Sequence, residues 1–304
     1  MNSPGASRGH TQRYLQRLLG ESGLAPRSSL GQCFLIDLNL LDLLVEAAEL
    51  ERSDFVLEVG AGTGSLTQRL AAGAGAVVSV EIDRGLYGLA QHSIEPHGNV
   101  RLLHEDILER KNALNPAVME ACDSAIRETS PSRLKVVANL PYVVATPVIS
   151  LLLTGPRLWD RMVVTIQKEL ADRLMARPGT KDYGSFSVMA AAVGDVELLR
   201  ELSGSVFWPR PRVASAFVRI RPRAERRDAI RNLPLFSQFT RAVMIHRRKV
   251  LRSAMSSACP RVPKPEIDAF LERLGFGRQT RAESLEAADF VRLANEIPQQ
   301  WVGS

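Results

Sequence analysis

Cysteine is scarce in this chain of 304 residues: Cys33, Cys122 and Cys259 lie far apart, with no Cys-x-x-Cys pair. That excludes a disulfide framework and a cysteine zinc site. The five histidines are scattered as well, and His104 and His246 lack the His or Glu four residues away that a metal-binding helix needs. No metal is expected. No apolar run approaches the ~18–20 residues that span a bilayer. The first thirty residues are polar and contain arginine, without the apolar stretch of a secretory signal. The expectation is a cytoplasmic protein with no membrane partner. Its 45% hydrophobic and 24% charged residues are ordinary for a globular chain.

What is present is unevenly spread. Residues 207–252 hold 13 Arg and Lys against Glu225 and Asp228, a local net of +11 in a chain of net +6, which leaves −5 for the rest. A basic block beside a mildly acidic body suggests a polyanionic partner met through one region. Candidate contacts are Arg210, Arg212, Arg247, Arg248, Lys249 and Arg252.

Apolar runs and turn residues alternate as strands and helices. Strands are expected at 55–59, 76–80, 100–103, 135–138 and 161–166, with helices between them, which implies a parallel, doubly wound α/β sheet. Thr146 is expected to cap one of those helices, with Pro147 at its first position. Residues 187–193 and 214–220 are expected to complete the sheet, and 109–133 reads as a helical excursion. Thr11–Leu19 reads as a short amphipathic helix. After Pro222 the pattern turns helical, at 233–258, 264–274 and 284–296. The expected organisation is a partly disordered extension over 1–30, an α/β domain over 31–224 and a small all-helical domain over 225–304.

Four strand ends carry the chemistry. The first leads into Gly60-Ala61-Gly62-Thr63-Gly64, a loop whose glycines let the backbone approach a ligand. No Lys-Ser/Thr pair follows, so it is not a phosphate-binding P-loop. The second ends at Glu81, placed to accept from ribose hydroxyls. The third ends at Asp106, placed to accept from an exocyclic amine. The fourth ends at Asn139-Leu140-Pro141-Tyr142, an amide, two carbonyls and an aromatic ring. Such a corner suits a planar exocyclic amine: the Asn oxygen and a backbone carbonyl accept its hydrogens while the ring stacks. Together the set fits a nucleoside without phosphates, S-adenosylmethionine.

At these motifs the chain resembles the bacterial small-subunit rRNA adenine dimethyltransferases, within the wider rRNA adenine N6-methyltransferase family. The likeness runs from Gly31 to about Ile297. It includes Gly31-Gln32-Cys33-Phe34-Leu35, Leu57 to Gly64, Val80-Glu81-Ile82-Asp83 and Asn139 to Tyr142. It continues through Tyr183-Gly184-Ser185-Phe186, Val206-Phe207-Trp208-Pro209-Arg210-Pro211-Arg212-Val213 and His246 to Arg252. The resemblance implies a Rossmann-like class I S-adenosylmethionine-dependent methyltransferase sheet with a C-terminal helical domain. It implies cofactor contacts at Cys33, Leu35, Gly60, Glu81, Asp106 and Asn139, with Gly62 in the same loop. Cys33 departs from the family's usual Asn. A thiol cannot reproduce the hydrogen bonding of an amide, so a contact there would be made by the backbone.

By the same resemblance the reaction is dimethylation of the N6 amines of two adjacent adenosines near the 3′ end of 16S rRNA. The substrate would be an immature small ribosomal subunit and the enzyme a monomer. Asn139 and the Leu140 or Pro141 carbonyl would hold the amine, with Tyr142 and Phe207 on opposite faces of the adenine. Two alternatives remain open: a large-subunit rRNA adenine methyltransferase, and a non-catalytic nucleic-acid-binding factor on the same scaffold.

Overall fold

The computed structural model describes residues 12–302. The disorder expected over residues 1–10 lies outside the described residues. The strands in chain order are β1 (Phe34–Leu35), β2 (Asp54–Val59), β3 (Ala76–Glu81), β4 (Val100–His104), β5 (Leu108–Arg110), β6 (Ala113–Leu114), β7 (Arg133–Asn139), β8 (Arg161–Gln167), β9 (Gly194–Leu202), β10 (Phe207–Trp208) and β11 (Ser215–Pro222). The helices are α1 (Gln12–Glu21), α2 (Leu38–Ala48), α3 (Ser65–Gly73), α4 (Arg84–Ile94), α5 (Pro116–Thr129), α6 (Ala145–Thr154), α7 (Lys168–Met175), α8 (Ser185–Val193), α9 (Ala224–Asp228), α10 (Leu233–Ile245), α11 (Leu251–Ala258), α12 (Lys264–Arg273) and α13 (Ala287–Glu296).

Seven strands form one sheet in the order β4-β3-β2-β7-β8-β11-β9. β2 pairs in parallel with β3 on one side and β7 on the other. The order therefore reverses at β2, the switch point where open α/β sheets leave a crevice at their carboxyl ends. Every residue of β2 and β3 is buried, as expected of central parallel strands covered on both faces. Side chains start the helices beside the crevice. Asp37 accepts from the Asn39 and Leu40 N–H groups at α2, and Asp83 from Gly85 and Leu86 at α4.

The chain divides into two compact units. Among the described residues, one comprises 12–151, 159–169 and 198–219; the other comprises 152–158, 170–197 and 220–302. The first holds a core of Leu44, Val56, Leu70, Val137 and Phe217, with Leu35 and Phe207 at its edge. In the second, α10 packs on α11, α13 and α8 around Phe236, Phe239 and Phe290. One buried ion pair sits at the amino end of the sheet. Lys135, 1% exposed, lies 2.6 Å from Asp54 and donates to the Glu49 carbonyl.

Several local expectations are corrected. Residues 187–193 belong to helix α8, and the strand is the following segment, β9. Six of these seven residues are buried, Ala191 alone being exposed, and so nearly continuous an apolar run has no clear period that separates helix from strand. Residues 109–133 are not purely helical, since β5 and β6 form a hairpin before α5. The helix expected over 233–258 breaks after Ile245. There the Arg247 carbonyl accepts from the Glu283 N–H and Val250 bridges to Arg281. Helix α6 begins at Ala145 and its Val148 N–H reaches the Val144 carbonyl, so Thr146 is inside the first turn rather than capping it.

Candidate active site

The crevice is built from the carboxyl ends of β2, β3, β4 and β7, with residues 31–35 laid across it. The Gly60 and Ala61 N–H groups both donate to the Val80 carbonyl, which pulls the glycine loop over the end of β3. Gly60 adopts φ +86, and a Cβ there would meet Pro141 at 3.1 Å. The loop and the 139–142 corner can therefore touch only because this position is glycine. Gly31 plays the same part on the other side. At φ +67, its Cβ would lie 3.1 Å from the Tyr142 nitrogen and 3.2 Å from that of Val143.

Glu81 is 5% exposed. Its two carboxylate oxygens accept from the Gly62 N–H at 2.8 Å and the Asp83 N–H at 2.9 Å. Burial raises its pKa and those two backbone bonds oppose the rise. Asp83 receives Arg27 at 3.2 Å and Gln32 at 3.5 Å, so the segment before β1 is tied to the same loop. Asp106 is half-buried and accepts from the Leu108 N–H at 2.9 Å. Beneath the loop, Glu58 is fully buried. Thr67 and Ser79 each donate to one of its oxygens at 2.6 Å, and burial pushes its pKa up to about 7.

The corner itself is held from three directions. Asn139 Nδ2 donates to the Cys33 carbonyl at 2.9 Å. That bond uses the amide's donor side and leaves Oδ1 as an acceptor. The Pro141 carbonyl accepts from the Val144 N–H at 3.1 Å, whereas among the described residues no hydrogen bond ends on the Leu140 carbonyl. The Leu140 side chain is buried. The Tyr142 hydroxyl lies 2.5 Å from Ser215 Oγ, and burial pushes its pKa up to about 12. It is a neutral phenol at physiological pH.

The adjoining cleft is lined by Leu15, Phe34, Leu35, Gly60, Gly62 and Asn139, among others. Among the described residues no cation lines it, which suits a nucleoside carrying a sulfonium better than a phosphate ligand. Leu15 and Leu19 on α1 are buried. Their spacing marks an amphipathic helix, and Leu15 brings α1 to the wall of the cleft, a placement no local sequence signal gives.

Of the other expected residues, Phe207 is 2% exposed and packs in the core beside Leu35. The half-buried ring at this point is its neighbour Trp208. Arg210 and Arg212 are exposed in the first unit. In the second unit Arg248 and Lys249 are exposed, while Arg247 donates to the Tyr183 and Lys181 carbonyls and Arg252 pairs with Asp268 at 3.2 Å. Sequence reasoning misses Glu58 and Ser215. The first is hidden inside an apolar strand and the second depends on a partner 73 positions away.

A doubly wound sheet in this order, with a glycine loop and a carboxylate on successive strand ends, defines a class I methyltransferase. Residues 23–299 match the family described as ribosomal RNA adenine dimethylase. The ribosomal RNA small subunit methyltransferase A of Pediococcus pentosaceus is 38% identical, covering 92% of both chains. That of Geobacillus sp. strain WCH70 is 36% identical, covering 98% of this chain and 99% of the relative. A dimethyladenosine transferase from Plasmodium falciparum shares the fold with a TM-score of 0.68 at 24% identity, covering 84% of this chain and 94% of that one. The 23S rRNA methyltransferase ErmE does so with a TM-score of 0.59 at 24% identity, covering 86% and 98%. The chain belongs to the ribosomal RNA adenine dimethylase family, and it is a methyltransferase.

Proposed function

We propose that this enzyme transfers methyl groups to the N6 amines of two adjacent adenosines near the 3′ end of 16S rRNA. It acts as a cytoplasmic monomer on immature small ribosomal subunits, with S-adenosylmethionine as donor. The observation that carries this reading is the Asn139–Cys33 bond, which engages the amide's donor side and leaves Oδ1 to accept at the corner. Near-full-length similarity to small-subunit methyltransferases supports the substrate.

When bound, the cofactor supplies a methyl group activated by its sulfonium. Glu81, with two oxygens already fixed by backbone N–H groups, can accept from ribose hydroxyls. Asp106 can take the adenine amine of the cofactor, and exposed Ile82 offers an apolar surface beside it. Gly60, Gly62 and Leu35 shape the remaining wall.

An adenine N6 lone pair is delocalised into the ring, so the amine is a weak nucleophile. Asn139 Oδ1 and the Leu140 carbonyl accept its two hydrogens and favour a tetrahedral nitrogen with its lone pair toward the methyl group. Leu140 is the better second acceptor because the Pro141 carbonyl is engaged by Val144. Tyr142 stacks on the adenine, and Phe207 supports the wall from the core. A phenol with its pKa near 12 is no base at neutral pH. Positioning and preorganised acceptors therefore carry the step. Of the expected RNA contacts, Arg210, Arg212, Arg248 and Lys249 are exposed and open to phosphates.

Incubation with radiolabelled S-adenosylmethionine and immature small subunits, followed by primer-extension mapping, tests the assignment. Label at two neighbouring adenines near the 3′ end of the small-subunit rRNA is expected. Label at other positions of that rRNA, or none, overturns it.

A further inference from the structure

β1 and β10 form a two-residue antiparallel ladder in which Leu35 faces Phe207 and Phe34 faces Trp208. Successive residues of a strand point to opposite sides. Leu35 and Phe207 form the inner side, both buried in the core. Phe34 and Trp208 form the outer side, both half-buried, with their rings stacked at 6.3 Å and 24°. Phe34 lines the cleft, where its ring would lie 3.3 Å from a Cβ on Gly62. Trp208 thus presents the outermost ring of a stack that starts at the glycine loop.

The ladder is also bound to the reactive corner. Cys33, next to Phe34, carries the carbonyl that receives Asn139. Paired strands lie about 5 Å apart, and Trp208 faces Phe34, the residue next to the one that receives Asn139. Its setting is suited to nucleic acid. Arg210 and Arg212 follow it and are exposed, and Val143 and Val213 are apolar residues open to solvent, at 57% and 45%. The loop that carries Trp208 is closed on itself: a Cβ on Gly204 would lie 3.2 Å from the Pro211 carbonyl. A Val206 carbonyl bond to the Ile36 N–H at 2.9 Å extends the ladder. The core needs of this segment are met by Phe207, and nothing in them calls for a second large ring facing outward.

We propose that Trp208, backed by Phe34, is a stacking subsite for the nucleobase next to the target adenosine, with Arg210 and Arg212 on the adjoining phosphates. The inference rests on the proposed RNA substrate. Stacking is tolerant of base identity, because every base has a π-face. The subsite therefore fixes the strand's position without reading its sequence. While one adenosine occupies the corner, its neighbour lies on Trp208.

The test compares W208F, which keeps an aromatic face, with W208L, which keeps bulk and apolarity without one. For immature small subunits, W208F should stay within about threefold of wild type. W208L should raise KM about tenfold, the loss of one base–aromatic stack, with kcat within about twofold. Cofactor Kd and Tm should be unchanged in both. Equal activity of the two variants overturns the proposal. A fall in cofactor affinity parallel to the loss of activity also overturns it, since Trp208 would then only brace Phe34. A collapse of kcat at constant KM overturns it too, by placing the ring against the reacting base. A wild-type enzyme inactive on small subunits removes the proposed function itself, and the inference with it.

Discussion

Asn139 and Cys33, 106 positions apart, meet through a side-chain N–H and a main-chain carbonyl at 2.9 Å. The bond makes the amide an oriented acceptor and involves no atom of the thiol. The atom of Cys33 engaged is its carbonyl, which any residue at this position would supply. Asn139→Ala removes the acceptor and should lower kcat about 10²–10³-fold, the usual cost of one preorganised polar group. Asn139→Asp keeps an acceptor but sets a carboxylate oxygen against the Cys33 carbonyl, and should fare no better. Single-turnover methylation kinetics, with cofactor binding measured by calorimetry, check this. Unchanged turnover in Asn139→Ala would remove the corner from the reaction.

Ser215 holds the Tyr142 hydroxyl at 2.5 Å. Ser215→Ala leaves a largely buried phenol without its partner, a cost of about 1–3 kcal/mol. Thermal unfolding should show that loss. Turnover should fall more than cofactor affinity, because the stacking ring gains freedom while Glu81 and the glycine loop are untouched. Restoration of turnover by Ser215→Thr would identify the hydroxyl as the needed group.

Glu58 gives the fold a pH dependence. Burial raises its pKa from an ordinary 4.5 to about 7. Between those values the folded protein holds the proton while the unfolded chain has released it. The folded state thus binds more protons, and stability through this group falls as pH rises from 4.5 to 7, then levels. A shift of this size corresponds to about 3 kcal/mol. Glu58→Gln should abolish that component. The difference in unfolding free energy between variant and wild type should move in the variant's favour across the window. Parallel pH curves for the two proteins would contradict the account.

Lys135 and Asp54 form a buried pair at 2.6 Å, with a second Lys135 bond to the Glu49 carbonyl. Lys135→Met alone strands a buried carboxylate and should cost about 3–5 kcal/mol. Lys135→Met combined with Asp54→Leu should recover most of the loss, because no uncompensated charge remains. Chemical denaturation of both variants reads the difference.

Arg248 and Lys249 are exposed, whereas neighbouring Arg247 is spent on the Tyr183 and Lys181 carbonyls. Replacing Arg248 and Lys249 with alanine should reduce the slope of log K against log salt by about 0.7–0.9 for each phosphate no longer neutralised, with little change in Tm. Replacing Arg247 should mainly lower Tm. Salt-dependent binding to rRNA alongside differential scanning fluorimetry separates the two effects. An unaltered salt slope in the double variant would place the RNA footprint elsewhere.

The strand-end chemistry is legible in the sequence because it is local. A glycine loop, Glu81, Asp106 and the 139–142 corner each follow an apolar run that reads as a buried parallel strand. Residues 187–193 mislead because nearly continuous burial, broken only at Ala191, blurs the periodicity. The break after Ile245 is invisible in the sequence because distant main-chain groups, at Arg281 and Glu283, cause it.

The sequence by itself determined the order of the sheet's functional ends and the type of chemistry they support, since both follow from hydrophobic period and turn residues over a few positions. Only the tertiary structure decided that Asn139 presents its oxygen, that Phe207 turns inward and Trp208 outward, and which arginines remain open to a partner. Those outcomes depend on ladder register and on hydrogen bonds between segments far apart in the chain. A one-residue slip between β1 and β10 would exchange the two rings.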